Sequence, residues 1–208
     1  MIGYYNYSVI LTYAGLVSAI VGMAAALGGI CGGKFVSILC LMVCGLCDMF
    51  DGAIAARCKR SEDAKCFGTQ IDSLCDMVCF GVFPAVLVFT MDGNWYTIIC
   101  MALYVLAAVI RLAYFNVQEI NRVSGDKRTH YEGLPVTSAA LVFPIILLLC
   151  KLAHIEWTGI YPIALFLMAA AFVSRVRVKK PYMKGLALLA LIGLAVFLLI
   201  IIFKDMFA

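Results

Sequence analysis

Residues 44–76 read CGLCDMFDGAIAARCKRSEDAKCFGTQIDSLCD, and four carboxylates, Asp48, Asp51, Asp72 and Asp76, stand in or against its long apolar runs. They form two pairs, three residues apart in the first and four in the second. Positions i,i+3 and i,i+4 share a helix face, so each segment presents two carboxylates one turn apart. Packed side by side, two such helices gather four like charges at one depth, where they repel or are forced neutral unless cations join them. An all-oxygen donor set selects hard ions, Mg2+, Mn2+ or Ca2+, over zinc or copper. Two ions bridged by carboxylates form a clamp suited to phosphoryl transfer. A single interfacial aspartate is ordinarily solvated and structural. Four in two helix-spaced pairs are read as a site, because ionisable groups inside membranes usually mark function. Gly52 directly after Asp51, and Gly68 four residues before Asp72, let a backbone approach a bulky ligand. Arg57, with Lys59 and Arg60, stands near enough to meet phosphate oxygens.

The elements that must position these groups follow from composition. Of 208 residues, 65% are hydrophobic and 13% charged, far from the average soluble domain. Seven apolar stretches can be marked, roughly 9–30, 35–56, 70–91, 96–117, 135–153, 158–174 and 184–203. Most approach the roughly 20 residues that a helix needs to cross a bilayer core. The expected fold is an all-α polytopic membrane protein, a bundle of about seven transmembrane helices, with 1–208 as one transmembrane domain. The start, MIGYYNYSV, has no basic n-region and leads into a span too long for a signal sequence, so the first span is read as retained.

Charge placement orients the bundle. Arg57, Lys59, Arg60 and Lys65 lie between spans 2 and 3. Arg122, Lys127 and Arg128 lie between spans 4 and 5, and Arg175, Arg177, Lys179, Lys180 and Lys184 between spans 6 and 7. The opposite side holds Lys34, Lys151 and Lys204. Twelve against three puts the N-terminus and the aspartates on the cytoplasmic side. The net charge of +4 is what basic loops beside a bilayer produce and implies no nucleic-acid partner. Cys40, Cys44, Cys75, Cys79, Cys100 and Cys150 fall within or beside spans, where a thiol packs as a small apolar group. The C-x-x-C of Cys44 and Cys47 has no second Cys or His pair at zinc spacing.

The run D48-M-F-D51-G52-AIA-A56-R57, then ten residues, G68-TQI-D72-SLC-D76, resembles the signature D-x2-D-G-x2-A-R-x8-G-x3-D-x3-D of the CDP-alcohol phosphotransferase family. It departs by one extra residue between Gly52 and Ala56 and two between Arg57 and Gly68, while both aspartate pairs keep their spacing. The resemblance implies a core of six membrane helices covering nearly the whole chain, with the active site at the cytoplasmic end. It implies transfer of a phosphate-linked group from a CDP-alcohol to a second alcohol, with release of CMP. Asp48, Asp51, Asp72 and Asp76 would then hold two divalent ions, and Asp76 would be the general base. Gly52, Arg57 and Gly68 would seat the cytidine diphosphate. Asn6 and Thr12, at the inner end of span 1, would contact the nucleotide, with helix capping an equally good account of Asn6.

Two further segments, IDSLCDMVCFGVFPA at 71–85 and YEGLPVTSAA at 131–140, are similar to those of serine-accepting members, which implies CDP-diacylglycerol and L-serine as substrates. Cys79, Phe83 and Thr137 stand where those members usually carry Ser, Ala and Pro. Arg111, the one charge deep in span 4, is the candidate clamp for the serine carboxylate, with a snorkelling helix anchor as its rival. Asn116 stands about a turn nearer the cytosol. His130 and Glu132 are read as residues of a solvated loop. Glycerol 3-phosphate or an inositol compound is the alternative acceptor. A phosphorylated one calls for more deep cations than Arg111 alone. A cation transporter is the rival from another class, but transporters place such carboxylates near the midplane, often in repeated halves, and no repeat is visible. The resemblance also suggests a homodimer in a bacterial or archaeal cytoplasmic membrane. The small residues of AGLVSAIVGMAAALGG suit either that contact or packing within one protomer.

Overall fold

The computed structural model describes residues 9–28, 33–55, 58, 61–120, 130–156, 159–175, 177–179 and 183–202. A helix stands on each of the seven apolar stretches. Helix α1 covers Ile10–Gly28 and α2 Gly33–Ala55. Helix α3, Glu62–Asp76, runs through a π-helical turn at Met77–Val82 into α4, Phe83–Met91, as one rod. Helix α5 spans Trp95–Ile120. A 3-10 turn at Val136–Ser138 leads into α6, Ala139–Leu152, followed by α7, Ile160–Val173, and α8, Met183–Ile202.

Four rods (10–28, 33–52, 62–91 and 95–119) are long and apolar enough to cross a membrane, while the apolar helices at 136–152, 160–173 and 188–202 are shorter. Their outer faces carry bare apolar side chains. On α5 alone Trp95, Ile98, Leu103, Leu106, Ile110 and Val117 are exposed, a continuous apolar surface that water does not tolerate. Length, composition and this surface make the chain an integral membrane protein.

The third rod begins at Glu62, eight residues before the apolar stretch at 70. Ser61, in extended conformation, accepts a hydrogen bond from the Ala64 N–H, and Glu62 and Asp63 fill the first turn. Cap and acidic first turn are what a helix N-terminus favours, so the helix extends beyond the apolar residues. At its far end the chain turns on Asp92, buried but satisfied. Tyr96 Oη donates to it at 2.8 Å and the Gly159 N–H at 3.2 Å, and Asn94 Nδ2 also donates. That carboxylate ties the α4–α5 turn to the start of α7.

The core runs from Ala19 and Ala26 of α1 through Leu41, Phe83, Tyr104 and Phe143 to Phe172 of α7 and Ile200 of α8. The small-residue stripe of α1 is used within the protomer. Gly15, Ala19, Gly22 and Ala26 are buried, and a Cβ at Gly22 would strike the Phe83 ring and lie 2.8 Å from Cys40 Cβ.

One feature absent from the sequence reading is a small antiparallel ribbon. Strand β1, His130–Glu132, pairs with β2, Arg177–Lys179, with Tyr131 opposite Val178. It fastens the segment before α6 to the segment after α7.

Candidate active site

The aspartates converge from α2 and from the far end of α3. Asp48 and Asp51 lie in the last two turns of α2, and Asp72 and Asp76 in the last two turns of α3. One carboxylate oxygen each from Asp48, Asp72 and Asp76 lies within 4.8 Å of the others. Asp51 is buried at the same cavity and accepts a hydrogen bond from Thr12 Oγ1 at 3.1 Å. Thr12, expected to meet the nucleotide, thus orients a carboxylate. Three carboxyl groups at this separation repel one another or are held neutral unless cations join them. Lys65 Nζ pairs with Glu62 at 2.7 Å on the exposed surface of α3. An all-oxygen cluster of this kind fits hard divalent ions. Asp48, Asp72 and Asp76 are close enough together that they could hold one.

The cavity floor is lined by thiols. Cys44 and Cys47 of α2, with Cys75 and Cys79 beside Asp76, face the same space as Asp48, Asp51 and Asp76. Cys44 Sγ donates to the Gly15 carbonyl at 3.3 Å, and α1 and α2 are close enough there that a Cβ on Gly15 would sit 3.3 Å from Cys47 Cβ. Three of the cysteines read as packing groups in the spans, Cys44, Cys75 and Cys79, therefore line the carboxylate cavity together with Cys47.

Of the other expected residues, Gly68 is buried in α3. Gly52 is exposed, and a Cβ there would meet nothing within 4 Å, so its neighbourhood is open. Asn116 accepts a hydrogen bond from Ser73 Oγ at 2.7 Å, which locks α5 to α3 beside Asp72. Sequence reasoning passed over Ser73, since a serine between two aspartates carries no spacing signal of its own. Asn6 and Arg57, like Lys59 and Arg60, lie outside the described residues, as do the side chains of His130 and Glu132.

Arg111 is buried among backbone carbonyls. Nη1 donates to the Phe172 carbonyl at 3.2 Å and Nη2 to the Gly133 carbonyl at 3.1 Å, with the guanidinium carbon 6.0 Å from the centre of the Phe115 ring. The Leu134 N–H also donates to the Ala171 carbonyl, at 3.1 Å. Arg111 is thus the pin of a clasp joining α5, the end of the ribbon and the end of α7.

A family model described as CDP-alcohol phosphatidyltransferase matches residues 5–176. The CDP-diacylglycerol–serine O-phosphatidyltransferase of Saccharomyces cerevisiae is 38% identical over 104 residues, 47% of this chain and 37% of that protein. The archaetidylserine synthase of Methanothermobacter thermautotrophicus is 32% identical over 128 residues, 61% of this chain and 52% of that protein. The CDP-diacylglycerol–serine O-phosphatidyltransferase of Mycobacterium leprae is 28% identical over 153 residues, 69% of this chain and 49% of that protein. The matched part spans about half of these relatives' length or less.

Proposed function

Because this chain belongs to the CDP-alcohol phosphatidyltransferase family, we propose that it transfers the phosphatidyl group of CDP-diacylglycerol to L-serine, yielding phosphatidylserine and CMP. The observation that carries this reading is the set of carboxylate oxygens from Asp48, Asp72 and Asp76, all within 4.8 Å of one another. The names of the relatives support serine as the acceptor.

The serine hydroxyl attacks the phosphorus that bears the diacylglycerol. A new P–O bond forms, the bond to the bridging oxygen of CMP breaks, and the hydroxyl proton passes to Asp76. Asp48, Asp72 and Asp76, with Asp51 alongside, would hold divalent ions, whose positive charge would favour departure of CMP. Thr12 keeps Asp51 turned toward the cavity through its hydroxyl. Gly52, Gly68, Arg57 and Asn6 seat the cytidine diphosphate. Arg111 meets the serine carboxylate, its guanidinium oriented by the Phe172 and Gly133 carbonyls, and Asn116, held by Ser73, contributes to the substrate site from more than a turn further along α5. The site faces the cytoplasm of a bacterial or archaeal cell, in a homodimer whose protomers each carry one complete cluster.

The acceptor is tested by supplying radiolabelled L-serine, glycerol 3-phosphate or inositol to the full chain in mixed micelles with CDP-diacylglycerol and Mn2+, and counting label in extracted lipid. Label from serine alone is expected. Label from glycerol 3-phosphate or inositol in preference to serine would keep the chemistry and overturn the acceptor.

A further inference from the structure

The rod that carries Asp72 and Asp76 changes its hydrogen-bonding pattern directly after Asp76. Across Met77–Val82 it is π-helical, and the Phe83 N–H reaches back five residues to the Val78 carbonyl. A π turn holds one residue more than an α turn. Side chains before it are therefore offset by about 100° from where an unbroken α-helix would place them. Below the turn, Phe83 and Leu87 are fixed in the core. The widened turn thus sets the direction in which Asp76 leaves the rod.

Pro84 has no N–H to give, so the Phe80 carbonyl, four residues earlier, lacks the donor it would have in an α-helix. The missing bond comes from another helix. Tyr104 Oη of α5 donates to the Phe80 carbonyl at 2.6 Å. Tyr104 is wholly buried, its ring 6.2 Å from Phe143 and 5.3 Å from Phe172, centre to centre. We propose that Tyr104 is a positioning residue for the carboxylate cluster: its hydroxyl holds the widened turn open and so aims Asp76 at Asp48 and Asp72. This rests on the reading that the cluster binds divalent metal.

A matched control exists within the same aromatic group. Tyr161 is equally buried, stacks on Phe143 at 5.9 Å and donates to the Phe143 carbonyl at 3.1 Å, away from the aspartates. The test compares Tyr104→Phe with Tyr161→Phe in the full chain, purified in detergent without substrate. Mn2+ affinity is read from the electron paramagnetic resonance of free Mn2+, and stability from thermal unfolding with EDTA. Tyr104→Phe is expected to weaken Mn2+ binding about 10- to 100-fold, as loss of a supporting partner does at metal sites, and Tyr161→Phe by less than about twofold. In turnover, Tyr104→Phe is expected to lower kcat with little change in KM for CDP-diacylglycerol. Equal Mn2+ affinity in Tyr104→Phe and the unaltered protein would overturn the proposal, and so would equal weakening in both variants. Should Tyr104→Phe not fold, Pro84→Ala decides, because it returns an N–H to the Phe80 carbonyl and narrows the turn. Loss of Mn2+ affinity there supports the proposal, and unchanged affinity overturns it. If the unaltered protein binds no Mn2+, or Asp76→Asn binds it as well as the unaltered protein does, the metal reading itself fails and Tyr104 has nothing to position.

Discussion

Replacing Asp76 by Asn is expected to lower serine-dependent CMP release by about 1,000-fold or more. A positioned general base alone contributes about 100- to 10,000-fold, and Asp76 also belongs to the cluster with Asp48 and Asp72. The substitution keeps the shape of the side chain and removes both the proton acceptor and one negative charge. Removing one of several like charges relieves repulsion in the metal-free protein, so thermal unfolding in EDTA should show equal or higher stability. That opposite movement of activity and stability separates a site residue from a structural one. Asp63→Asn is the control, since Asp63 sits exposed in the first turn of α3 and its loss should leave turnover nearly unchanged. An Asp76→Asn protein retaining a tenth of normal turnover would remove Asp76 from the base role.

Gly133→Ala should produce the second large effect, through the clasp. Gly133 adopts φ +74°, and a Cβ there would lie 2.6 Å from Arg111 Nη1 and 2.8 Å from each of the Phe172 and Ser174 carbonyl oxygens. The left-handed backbone costs a non-glycine residue about 1–2 kcal/mol, and forced overpacking adds about 1–3 kcal/mol. A loss of several kcal/mol lowers the unfolding midpoint of a chain this size by several degrees or more. Two of the crowding atoms are backbone, so the movable partner is Arg111. Displacing it while keeping its charge tests its proposed contact with serine. KM for serine is expected to rise about tenfold, the worth of one charged hydrogen bond, with KM for CDP-diacylglycerol little altered. A lower midpoint with unchanged KM for serine would make Arg111 an anchor of the clasp alone. An unchanged midpoint would contradict the clasp.

These two sites differ in how plainly the sequence announces them. The aspartate pairs are legible because helix spacing and apolar context suffice to place them on one face, and α2 and α3 bring them together as expected. All seven apolar stretches became helices for the same reason. The early start of α3 was encoded in Ser61, Glu62 and Asp63 but hidden by reliance on the apolar run, which begins later. Pro84 and Gly81 mark the region of the π turn. Its hydrogen bonding nevertheless depends on Tyr104, twenty-four residues away on another helix, and no local pattern reports such a partner. The ribbon is less legible still. Three residues on each side give no alternation long enough to read, and their pairing arises because α5, α6 and α7 bring two distant segments together. Thr12 and Asn116 were picked out as ligand contacts, and the structure adds their protein partners, Asp51 and Ser73. A polar residue at a site is visible in sequence, whereas the identity of its partner is a tertiary fact.

The most direct measurement is CMP release by the purified full chain from CDP-diacylglycerol, with L-serine and Mn2+ or Mg2+ each added or withheld. Release that requires serine and a divalent ion together, and that EDTA abolishes, is the expected result. Release that continues at the same rate in EDTA would contradict a metal centre built on Asp48, Asp72 and Asp76. Folded protein that releases no CMP with serine, glycerol 3-phosphate or inositol would contradict phosphatidyl transfer itself.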